Sequence, residues 1–138
     1  MSELPRLVID TNWLLDLWVF DDARAQPLRA ALEASQLRWL ASMAMRAEFE
    51  RVLGYPLIAR RWQADGRVPL ELLAEFERRV EWVEAAPPAP VRCTDPDDQV
   101  FIDLALQQRA TLLSKDKAVL ACARHLRALG VTVQPHWP

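Results

Sequence analysis

"RLVIDTNWLLDLW", residues 6–18, is the stretch whose reading decides the fold. Leu7, Val8 and Ile9 are consecutive apolar residues, the pattern of a short strand buried on both faces of a parallel sheet. The predicted strand, Arg6 to Asp10, ends on a carboxylate. A charge at the edge of a core is costly unless something pairs with it. Past the polar Thr11-Asn12 pair, Trp13, Leu14, Leu17 and Trp18 recur at helical spacing. The stretch therefore reads as strand, acid, helix, and it raises two questions: whether more such units follow, and what compensates Asp10.

Further units do follow. A helix is predicted over Arg24 to Ala34 on the Leu28, Ala31, Leu32 stripe, and "LRWLAS", residues 37–42, reads as a second strand. Ser42 stands where it can cap a helix over residues 43–53, which Pro56 breaks. "LIARRWQADGR" ends in a turn at Asp65-Gly66. Pro69 starts a helix over residues 69–82. The proline-rich "EAAPPAPVRCTDPDD" is a connection with a short extended segment near Val91. A helix from Asp97 or Asp98 to Arg109, a strand in "ATLLSKD", a helix over residues 117–129 closed by Gly130, and a last strand in "VTVQP" complete the pass. Strands alternating with helices of these lengths predict an α/β fold: a three-layer α/β/α sandwich around a mainly parallel sheet.

The bulk properties narrow the partners. A length of 138 residues suits one domain, residues 1–138. The net charge of −2 argues against a broad basic surface tracking nucleic acid, though not against a local basic rim. No apolar run approaches the roughly 20 residues that span a bilayer, so no membrane is expected. The start, MSELPR, lacks the pattern of a secretory signal. Cys93 and Cys122 form neither a CxxC pair nor a disulfide framework, and a reducing cytoplasm is the expected compartment.

In open parallel sheets, sites form beyond the carboxyl ends of the strands. Asp10 ends the first strand, and Asp116 follows "TLLS" after one lysine. Asp98 opens the helix before Ala105, and Glu48 lies two turns into the helix after "LRWLAS". Folding can bring these four to one edge. Clustered carboxylates repel, and a shared divalent cation relieves the repulsion. Mg²⁺ and Mn²⁺ favour oxygen ligands. A water of lowered pKa can attack a phosphodiester while the metal stabilises developing phosphate charge. An acid cluster without histidine thus points to metal-assisted phosphoryl chemistry; His125 and His136 receive no role.

The chain resembles the PIN-domain family of ribonucleases, which includes the toxins of VapBC-type toxin–antitoxin pairs. The matching pieces are "VIDTNWLL", "RAEFERVL", "DPDDQVFIDLAL", "RATLLSKD" and "KAVL", in order and along nearly the whole chain. The resemblance implies a Mg²⁺- or Mn²⁺-dependent endoribonuclease acting on single-stranded RNA. It implies that Asp10, Glu48, Asp98 and Asp116 hold one or two ions, and that Asn12 and Ser114 support them by hydrogen bonds. It further implies a small antitoxin as partner, inhibiting with an arginine in the acidic groove, and pairing of two copies as a homodimer.

Each residue has a plainer reading. Asp10 and Asp116 can be helix N-caps, and Asp95 and Asp97 can cap or face solvent. Glu48 competes with Glu50, which points about 200° away on the helix; Met45 and Val52 mark the buried flank beside Glu48. Asp103 reads as a surface residue. Arg60, Arg61, Trp62 and Arg67 can guide RNA, but a tryptophan packed under an exposed helix face is the favoured reading. Lys115 can touch phosphate or be solvated, while Trp13, Trp18 and Trp39 read as core. Two other functions compete with this reading: a non-catalytic PIN-like module binding protein or RNA, and aspartyl-phosphate chemistry. The latter is disfavoured because Asn12 stands where a phosphatase would place a second aspartate.

Overall fold

The computed structural model describes residues 3–137. Five parallel strands form one sheet in the order β3-β2-β1-β4-β5. They are β1 (Arg6–Ile9), β2 (Arg38–Ala41), β3 (Glu81–Trp82), β4 (Thr111–Leu113) and β5 (Val133–Gln134). Eight α-helices connect and flank them: α1 (Thr11–Trp18), α2 (Gln26–Glu33), α3 (Met43–Leu53), α4 (Pro56–Ala64), α5 (Pro69–Arg79), α6 (Gln99–Gln108), α7 (Lys117–Leu120) and α8 (Ala123–Ala128). The α/β/α sandwich with a parallel sheet is the predicted fold class. Among the described residues, no helix is long and apolar enough to cross a membrane.

β1 lies at the centre, pairing Leu7 with Trp39 of β2 on one side and with Thr111 of β4 on the other. Its apolar run is buried because both faces are covered. An aromatic group packs beside β2. Trp39 meets Phe76 edge-on at 4.6 Å between ring centroids, and Trp18 and Phe49 complete the group, so three helices are fastened to the sheet through rings. Trp13, Trp18 and Trp39 are core, as expected.

Strand order reverses about β1. β2 and β3 build outward on one side, β4 and β5 on the other. The gap beyond the carboxyl ends of β1 and β4 is therefore the topological switch point, where a doubly wound sheet leaves room for a site.

Four elements differ from their sequence expectation. Pro56 breaks α3 but also opens α4, where a proline at the first helical position loses nothing. α4 buries no residue fully; only Ile58 and Trp62 pack half-buried against the core, and the polar residues within the helix blur that short stripe. The predicted helix over 69–82 stops at Arg79, and Glu81–Trp82 forms β3; Val80 continues the Leu72, Leu73, Phe76 stripe past the end of the helix, and a two-residue edge strand cannot outvote it. The predicted helices after Arg24 and over 117–129 are each divided, by a 3₁₀ turn at Ala23–Ala25 and by a break at Ala121-Cys122. Gly130 has the positive φ expected of a residue closing a helix, at +89°.

Candidate metal centre at the switch point

The acid that ends β1 does two jobs. Asp10 caps α1 by accepting the Asn12 backbone N–H at 3.3 Å, and its other oxygen accepts the Ser114 hydroxyl at 2.6 Å. Ser114 is fully buried at the end of β4, and its Oγ also accepts the Asp116 N–H at 3.2 Å. Asp116 in turn caps α7 through the Ala118 N–H. One hydroxyl thus links the acids that follow β1 and β4. The hydrogen-bond support expected from Asn12 comes through its backbone.

A cavity of about 260 Å³ opens over these groups, lined by Asp10, Asn12, Glu48, Asp98 and Asp116. Thr11 forms part of the floor, and Tyr55 and Ile58 form an apolar wall. The four acids predicted from sequence share this cavity, and Asn12 borders it. Glu48 is half-buried toward it, whereas Glu50 is exposed near Arg46. Asp95, which caps the 3₁₀ turn Pro96–Asp98, and Asp97 also border the cavity but are exposed, and Asp98 is the buried member of the triplet.

The electrostatics follow from this crowding. Burial, then the charges of Asp10 and Asp116, push Asp98 up to about 7. Burial also raises Asp10, against the lowering effect of the Ser114 hydroxyl. Burial raises Glu48, against the Arg51 guanidinium 3.0 Å away. Two buried oxygens in the cavity lining, Thr11 Oγ1 and Asp98 Oδ2, have no hydrogen-bond partner. Orphaned oxygens amid unwilling carboxylates, with no nitrogen or sulfur donor, fit a hard divalent cation. Among the described residues no group of three or more His, Cys, Asp or Glu side chains is arranged to hold a metal ion. Mg²⁺ does not demand such a group, since it keeps several waters and takes one or two protein carboxylates.

Other candidates have structural duties. Trp62 donates to the Leu53 carbonyl, and Arg61 and Arg67 donate to the Phe20 and Trp18 carbonyls beyond the end of α1, so this stretch clamps helices. Lys115 is neither solvated nor free: it pairs with Asp16 and lies 4.6 Å over the Trp13 ring. Asp103, expected at the surface, accepts from Ala89 N–H and from Gln99, and so fastens the proline-rich connection. Thr11, Tyr55 and Ile58 line the cavity without having been named as site residues from the sequence, and Arg51, outside the lining, pairs with its Glu48. Arg51 carried a usable signal, its i+3 spacing from Glu48.

A doubly wound sheet with acids gathered at its switch point defines a class of α/β proteins suited to phosphate chemistry. The sequence matches the PIN domain over residues 6–118, and the chain belongs to the PIN domain family, whose members are generally nucleases. No curated protein matches the sequence. Among solved structures, the fold is similar to that in the crystal structure of VapBC2 from Rickettsia felis bound to a DNA fragment from their promoter. The TM-score is 0.62 at 12% identity, over 94% of this chain and 97% of that one.

Proposed function

We propose that residues 1–138 form a single nuclease domain that hydrolyses single-stranded RNA with Mg²⁺ or Mn²⁺, acting as the toxin of a toxin–antitoxin pair. The observation that carries this is the unpartnered, buried Asp98 carboxylate oxygen beside Asp10 and Asp116. A protein does not keep such a group without a ligand unless function requires it.

Asp10, Asp98 and Asp116 would hold the ion from the ends of β1, the 3₁₀ turn and β4, and Glu48 would complete the set once Arg51 releases it. When bound, the ion supplies charge stabilisation at phosphate and a water of lowered pKa. The chain's own residues do the rest. Ser114 fixes the Asp10 carboxylate, the α1 cap holds it against the strand end, and the Tyr55–Ile58 wall shields one side of the cavity from water. The Arg51 guanidinium, released from Glu48, is positioned at the rim to meet a phosphate.

The likeness to the VapBC2 complex supports a small antitoxin partner, which an acidic groove would accept through an arginine. A cytoplasmic location and a homodimer accompany that reading. The competing reading, a non-catalytic binding module, draws on the Glu48–Arg51 pair, which occupies one of the acids. One experiment separates them. The purified chain is expected to cleave RNA in Mn²⁺ or Mg²⁺ and to stop in EDTA. Asp10→Asn and Asp98→Asn are each expected to lose cleavage at least a hundredfold while keeping the parent's circular dichroism. Cleavage that persists in EDTA and in both variants would rule the mechanism out; folded protein that binds RNA without cutting it would favour the binding module.

A further inference from the structure

A second cavity, of about 480 Å³, lies on the other side of the wall that bounds the acid cleft. That wall is the first turn of α1 together with the Ser114–Asp116 loop. Thr11, Asn12 and Leu15 face the acids, while Trp13 faces the second cavity; Asp116 faces the acids, while Lys115 faces the second cavity. Its sides are flat and apolar: Trp13, Pro27, Pro135 and the half-buried Trp137. At its rim stand Lys115, Arg24 and the exposed His136.

We infer that this cavity seats a base of the RNA strand whose backbone crosses the acid cleft, with Trp137 as the stacking surface. The inference rests on the nuclease reading and adds a substrate subsite to it. Three observations select a nucleobase. The walls are indole and proline rings, and single-stranded RNA is held by splaying its bases onto aromatic side chains. Trp13 is buried and Lys115 lies 4.6 Å over its ring, which leaves the half-buried Trp137 as the open indole of the cavity. The cations there are already matched, Lys115 by Asp16 and Arg24 by Asp22, so the cavity is no sink for phosphate alone. His136 remains to face the phosphate of the seated nucleotide. Lys115 is chain-linked to both Ser114 and Asp116, so a base seated here adjoins the acids by a single residue's width.

The test uses the full chain in EDTA, so that RNA is bound but not cut. Adenosine and uridine 5′-monophosphates are expected to quench tryptophan fluorescence, and inorganic phosphate is not. Trp137→Ala is expected to weaken binding of a short single-stranded RNA, read by fluorescence anisotropy, by about tenfold, the usual scale of one lost base stack, and Trp137→Phe to restore most of it. Ala23→Trp, which fills the cavity from an exposed position without removing a wall, is expected to weaken binding similarly. With Mn²⁺, Trp137→Ala should raise KM and leave kcat and Mn²⁺ affinity unchanged. Equal quenching by phosphate, or RNA affinity within twofold of the parent in Trp137→Ala and Ala23→Trp, would overturn the subsite, as would a cavity that responds to an apolar peptide and to no nucleotide. Nucleotide binding with the expected losses but no RNA cleavage in Mn²⁺ would overturn the nuclease reading and leave the subsite standing.

Discussion

Ser114 shows how much one hydroxyl decides. It donates to Asp10 and accepts from the Asp116 backbone, and it is inaccessible to water. Ser114→Ala leaves the buried Asp10 oxygen without its donor, which costs about 1–3 kcal/mol. Urea unfolding is expected to show that loss, and because the hydroxyl lowers Asp10, the variant should need a higher pH to bind Mn²⁺. Asp98 makes the opposite prediction. Its folded pKa of about 7 lies far above the ordinary aspartate value of 3.8. A raised carboxyl favours the folded state below the lower value, and that contribution is lost as pH rises through the upper one. Asp98→Asn, which cannot ionise, should therefore gain stability over the parent as pH climbs from 4 to 7 and keep the gain above. This is read in EDTA by thermal melts across pH; a gap that does not change with pH would contradict the assigned shift. The same sign makes Mn²⁺ binding to the parent strengthen through neutral pH, since the ion needs the carboxylate.

At the scale of elements, the connection before α6 holds the lesson. Asp98 is delivered to the cleft by a proline-rich run with almost no regular structure, and two side chains of α6 keep that run in place. Gln99 bonds the Val91 carbonyl and the Cys93 N–H, and Asp103 bonds the Ala89 N–H and Gln99 itself. Asp103→Ala should cost about 1–3 kcal/mol for the stranded amides and reduce Mn²⁺ affinity, although Asp103 lies outside the cleft. Denaturation paired with Mn²⁺ titration checks both; a stability loss with unchanged Mn²⁺ affinity would show that the connection does not set the position of Asp98. Sequence reading placed Asp103 at the surface because a lone acid on a helix usually is solvated; of its two partners Gln99 is one helical turn away, but the Ala89 backbone amide is 14 residues away and no local pattern encodes it. The same limit hid α4 and β3. Periodicity reports burial against a core, so β1, β2, α3 and α6 are legible from their apolar runs, while α4 only half-buries Ile58 and Trp62 and β3 has two exposed residues.

For the whole molecule, the decisive property is that strand order reverses at β1. Asp10, Asp98 and Asp116 come from distant positions, yet each follows a strand or precedes a helix near the reversal, so a chain-order rule points to them; Glu48, in the middle of α3, reaches the same cavity by the helix face it occupies. What the rule cannot supply is the balance of charge in the folded cleft: that Arg51 takes Glu48, that Lys115 is held by Asp16, and that Asp98 is left without a partner. These are outcomes of packing, and they fix how the fold responds to a cation. An ion that binds the folded chain and not the unfolded one stabilises by RT ln(1 + [L]/Kd), about 2.7 kcal/mol at a hundredfold excess over Kd. For a domain of this size that corresponds to a rise in Tm of roughly 5–15 °C. Mn²⁺ should produce the rise in the parent, EDTA should reverse it, and Asp10→Asn should abolish most of it. Arg51→Ala should shift the response to lower Mn²⁺ concentration, because Glu48 is then free to bind. Thermal melts over a Mn²⁺ series read all four; a Tm indifferent to Mn²⁺ in the parent would mean that the acids at the reversal are held apart by their own hydrogen bonds and do not share an ion.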